Sequence, residues 1–323
     1  MIVAEELSKT YRVGRGREIT ALDDLNLEVA RGELRAILGP NGAGKSTAVK
    51  IFTTLTAPTW GRASISGIDV SRDPGGVREL IGASGQSTAI DERLTGLENL
   101  QLIAMLSRPT GLKARDRAAD MIERFDLVEA RDRQVKEYSG GMRRRVDIAG
   151  ALLAEPEVLF LDEPTTGLDP RSRQSVWDLI AQLAHRGTTV VLTTQYLEEA
   201  DRLSDTISVI DHGRVIAEGT PDELKASIGE QRAEVTLLND SDHEAAMGIL
   251  RRVAAAEPAR SSSLRDLSVA ITDGTRTLSA LLLELGGAGI ELVDAGVRRP
   301  TLDEVFFELT GTPPTDELRT DPR

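Results

Sequence analysis

The chain has 323 residues, enough for two domains with a substantial core in the first. Lysine and arginine total 39 against 52 acidic residues, a net charge of −13, which argues against nucleic acid as the main partner because a phosphate backbone needs a basic face. It has no cysteine, so disulfides and thiolate metal sites are excluded. Nor does it show a basic, apolar leader or an apolar run near the ~18 residues of a membrane span, so a soluble protein is expected.

In chain order, Leu34–Leu38 reads as a buried strand, Gly39-Pro40-Asn41-Gly42-Ala43-Gly44-Lys45-Ser46 as a complete G-x-x-x-x-G-K-[ST] loop, and Thr47–Phe52 as the start of a helix. This setting directs backbone N–H groups and a helix N-terminus at a polyphosphate. Lys45 would reach the β- and γ-phosphates, and the Ser46 hydroxyl would face Mg²⁺. A nucleotide site is therefore expected. Between residues 87 and 155 the apolar spacing turns helical, with a break at Pro109-Thr110-Gly111. In that stretch Ser139 is an N-cap, and Gly140 and Gly141 open the helix after it as a second anion-binding end. The Arg143–Arg145 run reads as a solvated helix face.

The apolar strand Val158–Leu161 ends in Asp162 and Glu163. Asp162 can complete the Mg²⁺ shell opposite Ser46, and Glu163 can serve as general base for a water attacking the γ-phosphate. Thr188–Leu192 is a further buried strand, and Ile207–Ile210 with Val215–Ala217 forms a hairpin about Asp211–Arg214. From Glu234 to Leu309 the pattern is strand, helix, strand, helix, strand, helix, without a catalytic motif. Leu302, Val305, Phe306 and Leu309 have helical spacing and are expected in the core. His185, His212 and His243 lack clustered partners and are assigned no chemistry. The polar residues after Gly311 read as a disordered tail.

The order of these motifs resembles the ATP-binding subunit of an ABC transporter over residues 1 to about 220. Ser139-Gly140-Gly141 resembles the ABC signature, with Tyr138 and Met142 in place of the common leucine and glutamine. Gly167-Leu168-Asp169 resembles the D-loop, and Gln86 the Q-loop glutamine. Tyr11 matches the aromatic that stacks on adenine, while Thr193-Thr194-Gln195 matches the switch segment with Gln195 where histidine is usual. Met142, Gln195 and the ending Arg298–Phe306 together resemble the daunorubicin/doxorubicin-resistance subfamily.

That resemblance implies an α/β P-loop cassette (residues 1–220, helical subdomain about 87–155), a small α+β domain (221–310) and a tail (311–323). It implies ATP and Mg²⁺ as cofactors, with Gln86 sensing the γ-phosphate and joining the metal shell. A head-to-tail dimer is implied, in which Ser139 serves the opposite subunit's ATP. The expected role is hydrolysis that energises a polytopic permease from the cytoplasmic face of the membrane, exporting a drug-like or lipophilic compound. The alternative is a non-transport ABC-type switch or binding factor.

Overall fold

The computed structural model describes residues 1–14, 16–85, 90–107, 112–229, 231–259 and 263–311. They form two units, Met1–Pro221 and Asp222–Arg323. The expected break at Pro109-Thr110-Gly111 and the tail from residue 312 lie outside the described residues. Among the described residues, no helix is long and apolar enough to cross a membrane.

The first unit opens with β1 (Ile2–Val13) and β2 (Arg17–Val29), paired antiparallel. Leu25, Leu27 and Val29 alternate into the core, the period-2 pattern of a sheet with one dry face. β3 (Leu34–Leu38) is buried at every residue and leads through the glycine-rich loop into α1 (Lys45–Phe52). β4 (Trp60–Ile65) and β5 (Ile68–Asp69) return to β1, giving a four-stranded antiparallel sheet in the order β2-β1-β4-β5. This antiparallel layer at the N-terminus is one that the sequence motifs do not mark. Next come α2 (Pro74–Leu80), capped by Asp73, and β6 (Ile81–Ser84).

Three helices follow: α3 (Gly96–Leu106), held by a Thr95–Glu98 capping box, α4 (Leu112–Arg124), and α5 (Gly140–Leu152). The chain then alternates through β7 (Val158–Asp162), α6 (Pro170–His185), β8 (Thr189–Thr194), α7 (Leu197–Leu203) and β9 (Thr206–Asp211), before β10 (Arg214–Gly219) folds back on β9. The main sheet has the order β10-β9-β3-β8-β7-β6, parallel except for β10. Both faces of its centre are covered, so β3, β7 and β8 are buried throughout, as parallel strands require. Phe52 of α1 stacks on Phe160 of β7 with ring centroids 5.9 Å apart, fixing the helix that follows the loop against the sheet.

The second unit contains α8 (Pro221–Ile228), β11 (Arg232–Leu237), α9 (His243–Ala254), β12 (Asp266–Ala270), α10 (Gly274–Gly287), β13 (Leu292–Arg298) and α11 (Leu302–Thr310). Its antiparallel sheet has the order β12-β11-β13. Ala233, Val235 and Leu237 face Ile249, Leu250, Leu281 and Leu285 in one apolar cluster. On α11, Leu302, Val305 and Phe306 are buried as expected, but Leu309 is 39 % exposed. It sits in the last turn, just before the left-handed Gly311 stops the helix, beyond the packed stripe.

Candidate functional site

In an open parallel sheet the loops after the strands share one edge, and ligands bind there. The register aligns Leu38 with Thr194 and Asp162 with Thr193. The phosphate loop, the Asp162-Glu163 pair and Gln195 therefore leave the sheet side by side. Loop and sheet are joined directly, since the Gly39 N–H donates to the Thr194 carbonyl (3.3 Å).

Glycine is required at two loop positions. A Cβ on Gly39 would lie 2.2 Å from the Ile210 carbonyl oxygen. Gly44, the N-cap of α1, has φ 109°, and its Cβ would meet the Ala21 carbonyl at 2.4 Å. Gly42 is also left-handed but has open space around it. Pro40, Asn41 and Ala43 complete the turn, and Thr47 follows in the first turn of α1. A support that the sequence did not reveal comes from the β9–β10 turn: the Gly213 N–H donates to the Ala43 carbonyl (2.9 Å), and the Asp23 N–H donates to Gly213 (3.0 Å). Its only sequence signal was a glycine in a tight turn. His212 beside it projects into solvent.

Lys45 is buried and donates to the Gly39 and Pro40 carbonyls at 2.8 and 3.1 Å. Its Nζ lies 3.6 Å from Glu163 Oε1. Burial pulls the Lys45 ammonium below its ordinary pKa range, opposed by the charges of Glu163 and Asp162. The Ser46 hydroxyl donates to Asp162 Oδ1 (3.0 Å), which also accepts from the Thr193 hydroxyl (2.5 Å). A hydroxyl and a carboxylate oxygen meeting beside a phosphate loop fit Mg²⁺, which binds few protein ligands and shares substrate phosphates. Among the described residues no cluster of three or more His, Cys, Asp or Glu forms a separate metal cage.

Glu163 is held in the left-handed region at φ 48°. Its N–H donates to both the carbonyl and the hydroxyl of Thr193 (3.1 and 3.0 Å), and its Oε2 accepts from Thr166 (3.2 Å). The carboxylate is thus fixed between Lys45 and Thr166, where it can orient and deprotonate a water. Gln195 is half-buried between β8 and α7. Four residues on, Glu199 is fully buried and accepts from Thr165 (2.8 Å) and Trp177 (2.9 Å), tying α7 to the segment before the D-loop. In the D-loop, Asp169 caps α6 through the Ser172 N–H (2.9 Å).

Ser139 caps α5, accepting from the Met142 N–H (3.2 Å). A Cβ on Gly140 would sit 3.0 Å from Leu168 of the D-loop, and one on Gly141 2.7 Å from Ser172, so the two segments are packed together. Tyr138 is buried below them, its hydroxyl on the Ala130 carbonyl (2.6 Å). Tyr11 lies on β1 opposite Ile19, with Lys9 Nζ 5.1 Å above its ring centroid. Gln86 lies outside the described residues; Gly85 before it is the last described position after β6.

The arginine run is not a solvated face. Arg143 reaches the Lys136 carbonyl (3.1 Å) and Arg145 the carbonyls of Phe125 and Asp126 (both 3.1 Å). Arg144 is only 8 % exposed and bonds Gly85, Asp147 and Asp162. Consecutive helical residues point ~100° apart, so a triplet cannot share one face.

With this geometry in hand, comparison with known proteins is specific. Residues 22–166 match the ABC transporter family, and residues 219–310 match the C-terminal domain of ATP-binding protein DrrA1-3-like proteins. The chain is 52 % identical to daunorubicin resistance ATP-binding protein DrrA3 of Streptomyces coeruleorubidus, covering 90 % of this chain and 91 % of that one. It is 48 % identical to the daunorubicin/doxorubicin resistance ATP-binding protein DrrA of Streptomyces peucetius, covering 97 % and 94 %. Among solved structures, a dimeric ATP-binding cassette in a post-hydrolysis state, bound to ADP and phosphate, superposes with a TM-score of 0.62 at 31 % identity, over 68 % of this chain and 98 % of that one. The chain belongs to the ATP-binding subunits of ABC transporters, in the branch that carries a DrrA-like C-terminal domain, and it is an ATPase.

Proposed function

We propose that this ATPase drives export of a drug-like or lipophilic compound through a separate polytopic permease, docked at the cytoplasmic face of the membrane. The observation that carries the hydrolytic reading is the convergence of Lys45, Ser46, Asp162 and Glu163 at one sheet edge. Export of such a compound is supported by relatives named for daunorubicin and doxorubicin resistance at 47–52 % identity. Those relatives do not favour a non-transport switch.

In this reading the loop Gly39–Ser46, through its backbone N–H groups from Asn41 onward, with Thr47 behind them, and the Lys45 ammonium hold the ATP phosphates, and Tyr11 stacks on adenine. Ser46 and Asp162 would hold Mg²⁺, with Gln86 joining them, and the ion would neutralise phosphate charge. Glu163 takes the proton of the attacking water, and Gln195 orients that water and the γ-phosphate by donating and accepting through its amide. Ser139, Gly140 and Gly141 act on the ATP of a second copy in a head-to-tail dimer. That role is supported by the dimeric relative and by a Ser139-capped helix end suited to anions. The ATP-binding domain is assigned to residues 1–220, with its helical subdomain at about 87–155, the small α+β domain to 221–310 and the tail to 311–323.

A groove of about 700 Å³ between β6 and the α3 and α5 helices, lined by Ile81, Ala83, Ile103, Leu106 and Gly150, supports permease docking in the first unit. Leu102, Met105 and Leu106 of α3 are exposed. Drug efflux should be measured from cells expressing this chain with a candidate six-span permease. Efflux restored by the wild type and not by Glu163→Gln supports the proposal; efflux unaffected by Glu163→Gln refutes it.

A further inference from the structure

Arg144 and Asp147 lie one turn apart on α5, both nearly inaccessible, with Arg144 Nη1 3.1 Å from Asp147 Oδ2. Taking a guanidinium and a carboxylate out of water is costly, and apolar residues of similar size would pack at least as well. The guanidinium does more than neutralise its partner. Nη1 also donates to the Gly85 carbonyl (2.9 Å), and Nη2 donates to the Asp162 carbonyl (3.3 Å). Asp147 in turn accepts from the Ser84 hydroxyl (2.5 Å). Ser84 pairs with Leu161 across the β6–β7 ladder. One fork therefore spans the ends of two adjacent parallel strands from a third element, the helix that Ser139 caps.

The Asp162–Glu163 peptide is consequently held from both sides. Its carbonyl accepts from Arg144, and its N–H donates to Thr193. Glu163 immediately follows in a left-handed conformation that a non-glycine residue keeps only when its surroundings impose it. A lysine could not reproduce this grip, because one ammonium has no planar fork to divide among two carbonyls and a carboxylate.

We infer that Arg144, neutralised by Asp147, is a positioning residue for hydrolysis: it sets the angle at which Glu163 leaves β7 and ties that angle to the α5 helix. The inference rests on Glu163 acting as the base. The Arg144 guanidinium is engaged by the Gly85 and Asp162 carbonyls and by Asp147, so its loss should act on turnover through Glu163 and not on nucleotide affinity.

The test compares Arg144→Lys, the charge-neutral pair Arg144→Gln/Asp147→Asn, and Glu163→Gln, each copurified with the permease. Calorimetric Tm, Kd for a fluorescent ATP analogue, KM and kcat are measured for all three. In the neutral pair kcat should fall about 10²-fold, the effect of displacing a reacting group by roughly an ångström. Its Kd should move less than about threefold, the split that marks an interaction needed only in the transition state. Arg144→Lys keeps the buried charge balance and should lose about tenfold in kcat. A wild-type kcat in either Arg144 variant, or a parallel loss of ATP affinity and turnover, overturns the inference. If the neutral pair does not fold, Arg144→Lys decides alone. If Glu163→Gln turns over normally, the general-base assignment is what has failed. If Glu163→Gln stalls while the neutral pair does not, the failure lies with Arg144.

Discussion

The two units of this chain are both built from strands and helices, yet they treat polar side chains in opposite ways. Among the described residues, every buried polar or charged side chain, from Arg35 and Lys45 to Glu199 and Ser208, lies in the first unit. Among the described residues the second unit buries apolar side chains only, around Val235, Leu250 and Leu285, and leaves Glu234, Thr236 and Arg298 at its surface or partly exposed. Burying a polar group is unfavourable unless it is paired, so a unit retains such groups where they do something apolar residues cannot. Parallel topology explains where they collect. β3, β8 and β7 end on one edge, and Lys45, Asp162 and Thr193 are buried together there. The antiparallel β12-β11-β13 sheet sends its strand ends to both edges and gathers no comparable cluster. The polar machinery thus sits in the first unit, and the described core of the second is held by apolar packing.

The sharpest way to break this contrast is Glu163→Gln. A general base contributes about 10²–10⁴-fold, so hydrolysis should fall by at least ~10² while ATP affinity stays near wild type. The blocked protein should accumulate as an ATP-bound dimer on size exclusion. Normal turnover would take the buried carboxylate out of the chemistry and leave the contrast without its central example.

A large effect of a different kind is expected in the second unit. Leu250 is fully buried in its apolar cluster, and Leu250→Ala should destabilise by about 2–5 kcal/mol through lost burial and the cavity left behind. ATP affinity should be unchanged. Calorimetry with a parallel ATP titration checks both statements. A weakened ATP site in a folded Leu250→Ala protein would show that the second unit shapes the first.

Legibility followed the same division. The strand–loop–helix around Lys45, the Asp162-Glu163 strand end, and the strands and helices from β11 to α11 were all readable, because each depends on local spacing and a short motif. The N-terminal antiparallel sheet was not anticipated. β1 carries register shifts at Ala4–Leu7 and again near Lys9, which interrupt the alternation a strand is recognised by. The burial of Arg144 escapes the residue pattern because two of its acceptors are backbone carbonyls, of Gly85 just after β6 and of Asp162 at the end of β7, and backbone groups leave no trace there. Gly213 looked like a turn residue and no more. Its bond to Ala43 joins positions 170 residues apart, which only the fold brings together. Leu309 kept the right spacing but fell in the terminal turn of its helix, where periodicity says nothing about contact.

A smaller change is expected at Gln195. Losing one hydrogen bond of about 1.4 kcal/mol in the closed state corresponds to about tenfold in kcat, and Gln195→Ala should show that with little loss of ATP binding. Glutamine has no charge to gain or lose, whereas histidine titrates near ~6.5. Gln195→His should therefore remain active and acquire a pH dependence that glutamine at this position cannot give. ATPase rates from pH 5.5 to 8.5 for both variants decide it. An Ala variant that matches the wild type throughout would place Gln195 away from the γ-phosphate.

The smallest expected effect concerns Glu199, the buried carboxyl that links α7 to Thr165 and Trp177. Burial pushes its pKa above the ordinary carboxylate range, against hydrogen bonds from its neighbours and the charge of Arg173, which pull it down. A carboxyl whose pKa is raised by folding binds its proton more tightly in the native state. Its contribution to stability is then fully present below the unfolded pKa and is lost as pH rises through the folded pKa. Glu199→Gln copies the protonated form: its carbonyl can still accept from Thr165 and Trp177, and it carries no charge to desolvate. The two proteins should therefore melt together at the acid end of the accessible range, with the variant gaining on the wild type as pH rises. Calorimetric Tm against pH for both chains measures this directly. A variant that loses ground with rising pH would mean that the ionised carboxylate is the stabilising form, paired with Arg173, and that this buried group belongs with the ion pairs of the site and not with its neutral supports.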